Sequence, residues 1–369
     1  MSKKRKLQYK DLDFMRFLAF IPILLFVIFY LMNSYEDGFI TEASTALGYI
    51  KNNSIDFFFF LSAFLLTSHA LREYKYNNSF SLRQYFVRRS FKITPLIIPL
   101  ALFAFFLHPF ITRILQLSDV TTPGISNNFL LTANNIVLSP EQFIYYGVLW
   151  IILLFICYYL ILGFILKFMK DRLNIISYLL ITIGMADRAF HVLENSNHEF
   201  DLGSYGIAIG FGILAANYMR NEQRMVDYFK ETAAISHFAI YAIGVVVIFG
   251  GYLFFSGTYL SILVPVLSSL VFSYVVFEQT YSKHSLFKFR KLKQLSKIGR
   301  MSYGQIVYLS MVAAITIIAM DSLELRMEGI GNQLIFCVVT VILTMLVARF
   351  SYNYIERPIL NMKREFKKT

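Results

Sequence analysis

The sequence predicts an all-α protein, a polytopic transmembrane helix bundle of about ten spans with both termini on the inner side of the membrane. Of the 369 residues, 57% are hydrophobic and only 16% are charged, against about 45–50% and about 25% in soluble domains. Apolar stretches long enough to cross a bilayer recur along the whole chain. Lysine and arginine are concentrated between alternate stretches, as in loops that share one side of a membrane. These observations exclude a fold built around an aqueous-type core.

The apolar stretches define the predicted spans, and residues 1–369 are expected to form a single membrane-embedded domain. The first stretch is expected to be retained as a helix, because it is long and no small-residue cleavage site follows it. The fifth stretch, 173–187, is short for a span. The ten predicted spans are 14–33, 55–72, 93–111, 143–168, 173–187, 203–219, 236–255, 258–280, 302–320 and 332–353.

The distribution of basic residues predicts the orientation of the bundle. With the N-terminus inside, only four of the 35 lysines and arginines fall in predicted outer loops: Lys51, Arg113, Arg188 and Arg326. This asymmetry favours an N-in, C-in topology. The net charge of +12 is largely this inside bias, so membrane lipids are expected partners and nucleic acid is not.

The chain is expected to contain no separate soluble domain and no low-complexity segment. Cys157 and Cys337 both fall in apolar stretches, which predicts buried thiols and no disulfide framework. The longest outer segment, 112–142, contains two short apolar stretches that lie on the membrane surface, fold back over the bundle as a lid or belong to an ordinary loop. No metal-ligand spacing, nucleophile elbow or phosphate-binding glycine loop is present. We therefore expect no metal and no bound cofactor.

Two groups of basic residues near predicted span ends are candidates for chemistry. Arg16 stands at the mouth of the first span, where a guanidinium costs a few kcal/mol unless it snorkels to the headgroups or finds a partner. It is either an anchoring residue or half of a catalytic pair. In a helix, Arg88 and Lys92 share a face and Arg89 lies beside them. This cluster suits the phosphates of a lipid or a cosubstrate, or simply anchors the inner end of the bundle.

Five short motifs, in this order along residues 12–358, resemble the acyltransferase-3 family of integral membrane O-acyltransferases. That family has an Asp, a Phe pair and Ser-Gly-Phe-Leu in its second span, followed by Arg-Arg-x-x-Arg-Ile-x-Pro. This chain has Ala63 in place of the glycine and Lys92 in place of the third arginine. The matching segments are Leu12 to Arg16, Asp56 to Leu65, Arg88 to Pro95, Ser302-Tyr303 and Glu356 to Pro358.

The resemblance implies transfer of an acyl group, often acetyl, from a cytosolic acyl-CoA-type donor to a hydroxyl of an envelope glycan or lipid. Arg88, Arg89 and Lys92 would hold the phosphates of this cosubstrate, and Arg16 would serve the chemistry. It also implies an integral protein of the bacterial cytoplasmic membrane.

The chain departs from the family pattern at three polar positions. The family places a histidine about eleven residues after the first-span arginine, where this chain has Val27. A middle-span glutamate five residues after a tryptophan is replaced by Phe155, and a ninth-span histidine is missing after Tyr308-Leu309. Since a hydroxyl needs a positioned base before it attacks, these changes indicate that the chemistry has been lost or relocated.

Relocation would require another proton acceptor, and His69 is the best candidate. It lies close to the inner end of the second span, with Thr67 and Ser68 beside it and the basic cluster further along the chain on the inner side. The sequence therefore leaves enzyme status open between an active O-acyltransferase with a rearranged base and an inactive relative that serves as a membrane scaffold or complex partner. A transporter is a third alternative with only the span count behind it. At the fifth span, Asp187 and Arg188 are adjacent and are considered as a local ion pair.

Overall fold

The computed structural model describes residues 10–32, 39–102, 149–194, 202–255, 258–285, 287–325 and 329–359. Every regular element in these ranges is helical, which confirms the all-α class. The α-helices are α1 (Lys10–Met32), α2 (Phe39–Asn77), α3 (Leu82–Leu102), α4 (Leu149–Phe168), α5 (Leu173–Glu194), α6 (Gly206–Asn221), α7 (Gln223–Glu231), α8 (Ala234–Val245), α9 (Gly251–Phe255), α10 (Leu263–Tyr281), α11 (Lys293–Arg300), α12 (Ser302–Ser322) and α13 (Ile330–Ser351).

Six of the described helical segments are long and apolar enough to cross a membrane. A seventh candidate is formed by α7 and α8 together, which are bent by 100° at their junction. The count of ten spans and the N-in, C-in orientation remain predictions, and the outer segment 112–142 lies outside the described residues. The six segments are Leu12–Met32, Glu42–Asn77, Lys170–Glu194, Tyr259–Tyr281, Ser302–Ser322 and Ile330–Ile359.

Helix α2 lies at the centre of the bundle and packs against α1 and α6. Its phenylalanines Phe57 to Phe60 are all buried, so this aromatic run packs against protein and not against lipid. The two helices approach closely at the small residue Ala63, because Gly212 of α6 lies against the Phe60 carbonyl and the Ala63 methyl group. Small residues allow two helix backbones to come this close.

A methyl group at Gly212 is expected to separate α2 from α6 and to destabilise the fold. A Cβ atom there would collide with the backbone carbonyl of Phe60, which cannot move without its helix. We expect Gly212→Ala to lower the free energy of unfolding by about 1–3 kcal/mol, measured by denaturation in detergent micelles. Gly331→Ala is the matched control, since a Cβ at Gly331 meets nothing within 4 Å. Equal stability of the two variants would contradict this packing.

A buried salt bridge joins α2 to α5. Arg188 Nη2 donates to both carboxylate oxygens of Asp56 at 2.8 and 2.9 Å, and Arg188 Nε donates to the Ser204 carbonyl at 3.1 Å. The idea of a local Asp187–Arg188 pair is therefore wrong, and Arg188 belongs to a helix and not to an outer loop. Asp187 instead accepts a hydrogen bond from the Ser204 hydroxyl.

At the other end of the bundle, α11 docks against the first turns of α1. Gly299 lies directly against the backbone carbonyl of Asp13, where a side chain would not fit. The Asp13 carboxylate accepts hydrogen bonds from Arg16 at 2.7 Å and from Arg300 at 3.0 Å. The charge of Arg16 thus has a carboxylate partner three residues away, and this contact holds Arg16 beside the start of α12.

Candidate functional site

A pocket opens at the end of the bundle where α1, α3 and α12 begin and α2 ends. Its volume is about 270 Å³. All five predicted site residues line it: Arg16, His69, Arg88, Arg89 and Lys92. The other lining residues are Ser62, Leu65, Leu66, Ala70, Glu73, Phe80, Tyr85 and Tyr303.

The pocket follows one face of α2. Its α2 residues occur at intervals of three or four from Ser62 through His69 to Glu73, which is the spacing of a single helix face. At 1.5 Å per residue, the eleven residues from Ser62 to Glu73 span about 16 Å. The pocket is therefore a channel that runs along the helix, with Glu73 near its mouth and Ser62 at its inner end.

At the mouth, Arg88 is held by two acceptors. It donates to Glu73 Oε2 at 3.3 Å and to Gln84 Oε1 at 2.7 Å. The guanidinium carbon of Arg89 lies 5.0 Å from the centroid of the Tyr159 ring, a cation–π geometry. Both guanidinium groups are half-buried in the pocket wall, so they are oriented before any ligand arrives.

The inner end, which we call the pocket floor, is formed by Ser62, Lys92 and Tyr303. The Ser62 and Tyr303 hydroxyls share a hydrogen bond of 3.0 Å across α2 and α12. Lys92 Nζ lies 3.7 Å from the centroid of the Tyr303 ring. Arg16 reaches the same floor, and its Nε atom is buried without a hydrogen-bond partner among the described residues.

The C-terminal landmark of the sequence lies behind this floor. The Glu356 side chain packs against Gly304, where a Cβ atom would come within 3.2 Å of Glu356 Oε1. This oxygen is buried and has no hydrogen-bond partner in the described part of the chain. The Glu356 carboxyl group interacts electrostatically with Lys92, so the floor contains one acidic group beside its cations.

His69 lines the middle of the pocket and is exposed to it. Its Nδ1 atom lies 2.5 Å from the Leu65 carbonyl oxygen. A carbonyl only accepts, so this contact places the ring proton on Nδ1 and leaves Nε2 of the neutral ring as an acceptor. That is the protonation state a general base needs.

Close packing surrounds the three positions at which the chain differs from the family pattern. Val27 and Leu309 belong to the buried hydrophobic core. Phe155 stacks on Phe59 with ring centroids 4.3 Å apart and planes inclined by 12°. The Trp150 side chain lies outside the described residues. Ser310, which follows Leu309, is also buried, and its hydroxyl has no hydrogen-bond partner in the described part of the chain. Because Val27, Phe155 and Leu309 carry no proton acceptor, a base for the chemistry is expected elsewhere in the bundle.

The other described histidines lie apart from the basic pocket. His237 is buried and its two ring nitrogens contact Tyr274 and Ser282 at 2.7 and 2.9 Å. His191 lies 3.9 Å from Asp187 at the opposite end of α5 from the pocket, and His284 follows α10 in the chain. His108 and His198 lie outside the described residues. Within the described ranges, no group of three or more His, Cys, Asp or Glu side chains could hold a metal ion.

Sequence reasoning missed the pocket roles of Ser62, Glu73 and Tyr303. The signal was available in part, because Ser62, His69 and Glu73 lie seven and four residues apart and form a polar stripe on an otherwise apolar helix face. From the sequence, Tyr303 was identified only as part of the Ser302-Tyr303 motif. Its contact with Ser62 joins residues 241 positions apart, and only the folded bundle shows it.

Fold and site together define a polytopic helical membrane protein with a basic, histidine-containing pocket at one end of the bundle. The chain belongs to the acyltransferase-3 family: the family model described as an acyltransferase domain matches residues 9–349. No curated protein and no solved structure matches the chain. Membership supports a membrane acyltransferase-like function and leaves the donor and the acceptor to be inferred from the pocket.

Proposed function

We propose that the protein transfers an acyl group from an acyl-CoA-type donor, bound in the basic pocket, to a hydroxyl of an envelope glycan or lipid. One observation carries the proposal: Arg16 of α1, His69 of α2 and the cluster Arg88, Arg89 and Lys92 of α3 surround one pocket. A donor of this type is polyanionic at one end and carries its thioester at the other, and the pocket is a channel with guanidinium groups at its mouth.

The donor phosphates are assigned to Arg88 and Arg89. Guanidinium groups bind phosphate oxygens through paired, charge-assisted hydrogen bonds. Lys92 and Arg16 lie deeper, where positive charge stabilises the oxyanion that forms at the thioester carbonyl. His69 is the proposed acceptor of the proton from the attacking hydroxyl, through its free Nε2.

The proposed topology is ten spans with both termini in the cytoplasm, and the proposed location is the bacterial cytoplasmic membrane. The support is the inside bias of lysine and arginine in the sequence. In this orientation the pocket opens where α1 begins, on the side that holds cytosolic acyl donors. The acceptor reaches the same pocket through the bundle or from the membrane.

Donor binding tests the assignment of Arg88 and Arg89. We expect purified protein in detergent to bind coenzyme A, and the double variant Arg88→Ala/Arg89→Ala to bind it at least about 100-fold more weakly, because each of the two lost charged hydrogen bonds contributes about 1.5–3 kcal/mol and about 1.4 kcal/mol is a factor of ten. Isothermal titration calorimetry gives both dissociation constants. Arg83→Ala is the matched control, since Arg83 is exposed on the same helix and does not line the pocket. Wild-type protein that does not bind coenzyme A would refute the proposal.

The second candidate is an inactive relative that acts as a scaffold or partner in a membrane complex. The observation in its favour is the tight apolar packing at Val27, Phe155 and Leu309. The two candidate functions predict different results for the acyl groups of the cell surface when the gene is removed. Mass spectrometry of envelope glycans and lipids, with and without the gene, shows missing acyl groups only if the protein is an enzyme. Unchanged acyl groups together with a lost cellular phenotype would favour the scaffold.

A further inference from the structure

Two hydroxyl groups meet at the floor of the basic pocket. Ser62 lies in the middle of α2 and Tyr303 lies in the first turn of α12, and their side chains share a hydrogen bond of 3.0 Å. The Tyr159 hydroxyl of α4 adjoins both. Hydrogen bonds of this kind often only join transmembrane helices, with an average contribution of about 0.6 kcal/mol. Here both hydroxyls also line a cavity, so a ligand can reach them.

The surroundings of these hydroxyls favour negative charge on oxygen. Lys92 Nζ lies 3.7 Å from the centroid of the Tyr303 ring. The charges of Arg16 and Arg89 also act on Tyr303. Cations in a largely buried site act more strongly than in water, because the local dielectric constant is low. A serine that shares a hydrogen bond with a proton-relaying group beside fixed positive charge has the arrangement of an activated nucleophile.

The length of the channel places the reactive end of a donor at this floor. About 16 Å of helix separate Ser62 from Glu73, and Arg88 is bonded to Glu73 at the mouth. A donor whose phosphates contact Arg88 therefore extends its acyl arm along α2. Side chains on a helix lean toward its N-terminus, so His69 leans toward Ser62 along the same face.

We propose that Ser62 is a covalent nucleophile that carries the acyl group between donor and acceptor, with Tyr303 as its proton relay. This inference rests on the proposed function and assigns that function two half-reactions in place of one direct transfer. Ser62 and Tyr303 are then catalytic residues, whereas Lys92 and Arg16 stabilise the oxyanion formed in each half-reaction.

In the first half-reaction, Ser62 Oγ attacks the thioester carbon and forms an ester bond. The carbon–sulfur bond breaks, and the Ser62 proton passes through the Tyr303 hydroxyl to the departing sulfur, which leaves as a thiol. In the second half-reaction, an acceptor hydroxyl that gives its proton to His69 attacks the ester carbon. The bond to Ser62 Oγ breaks, Ser62 recovers a proton from solvent through Tyr303, and His69 returns its proton to solvent.

The test is to trap the acyl-enzyme. Purified full-length protein in detergent is mixed with radiolabelled acetyl-CoA without an acceptor, quenched in acid and mapped by peptide mass spectrometry. We expect an acetyl group on the peptide containing Ser62 and a burst of free thiol that does not exceed the amount of protein. Ser62→Ala is expected to lose the label and the burst but to bind coenzyme A as the wild type does. Tyr303→Phe, which keeps the ring beneath Lys92, is expected to slow the burst about 100-fold.

Ser269→Ala is the control, because Ser269 is a buried serine of α10 whose hydroxyl has no hydrogen-bond partner in the described part of the chain. It is expected to label like the wild type. Acetyl transfer by the wild type with no label on Ser62, or transfer by Ser62→Ala at the wild-type rate, would overturn the covalent step and leave the proposed function standing. Failure of the wild type to bind acetyl-CoA would overturn both.

Discussion

Replacing Asp56 with asparagine is expected to lower the free energy of unfolding by about 3–5 kcal/mol, although the two side chains are nearly identical in size. The substitution leaves the Arg188 guanidinium buried, with an exposed fraction of only 4%, and removes its counter-ion. An arginine cannot escape this cost by losing its proton. Denaturation in detergent micelles, followed by circular dichroism, measures the change.

A second substitution, at Arg188, distinguishes the cost of leaving one buried charge without its partner from the cost of changing the side chains themselves. In the double variant Asp56→Asn/Arg188→Gln neither charge remains, so we expect it to recover part of the loss, as a double-mutant cycle would show. Asp227→Asn is the matched control, because Asp227 pairs with Lys230 on an exposed helix surface at 2.6 Å, and such pairs contribute little. If Asp56→Asn unfolds at the same denaturant concentration as Asp227→Asn, the pair does not stabilise the fold.

Restoring the family histidine at position 27 is expected to destabilise the protein without conferring faster acyl transfer. Val27 is buried in the core, and imidazole is larger than an isopropyl group and carries two polar atoms. Overpacking costs about 1–3 kcal/mol, and an unpaired buried polar group adds about 1–3 kcal/mol. We therefore expect Val27→His to lose about 2–6 kcal/mol of stability, measured by the same denaturation assay.

Two further variants identify the cause of this loss. Val27→Ile adds volume without a polar atom, and Val27→Thr adds a hydroxyl at nearly constant volume. If polarity dominates, the threonine variant is the less stable of the two. A gain in acyl transfer by Val27→His, assayed by thiol release from acetyl-CoA, would instead show that substrate reaches position 27, and would contradict the close packing of Val27.

Local spacing and position near span ends made the basic residues and the histidine of the pocket predictable. Arg88 and Lys92 share one helix face and Arg89 lies beside them. His69 was identified because it lies near the inner end of the second span, on the same side as the basic cluster. These inferences needed only helix periodicity and the position of each residue near a span end.

Pairings between distant segments were not predictable. Asp56 and Arg188 are separated by 132 residues, and no periodicity within either helix reveals the partner. The predicted second span also began too late, at residue 55, because Lys51, Asn52 and Asn53 resemble a polar loop. In the structure α2 continues back to Phe39, and Asn53 is buried because it donates to the Ile248 carbonyl at 2.8 Å and accepts from Ser268 at 3.0 Å.

The contact between Arg88 and Glu73 gives the pocket a counter-ion of its own. A phosphate-bearing ligand that binds Arg88 replaces the Glu73 carboxylate as the partner of the guanidinium. Arg88 is therefore already paired and partly dehydrated before the ligand binds. The gain in binding free energy is smaller than for a bare arginine, and the released Glu73 carboxylate stays close enough to compete for Arg88. A pocket with this resident anion favours rapid ligand turnover over tight retention.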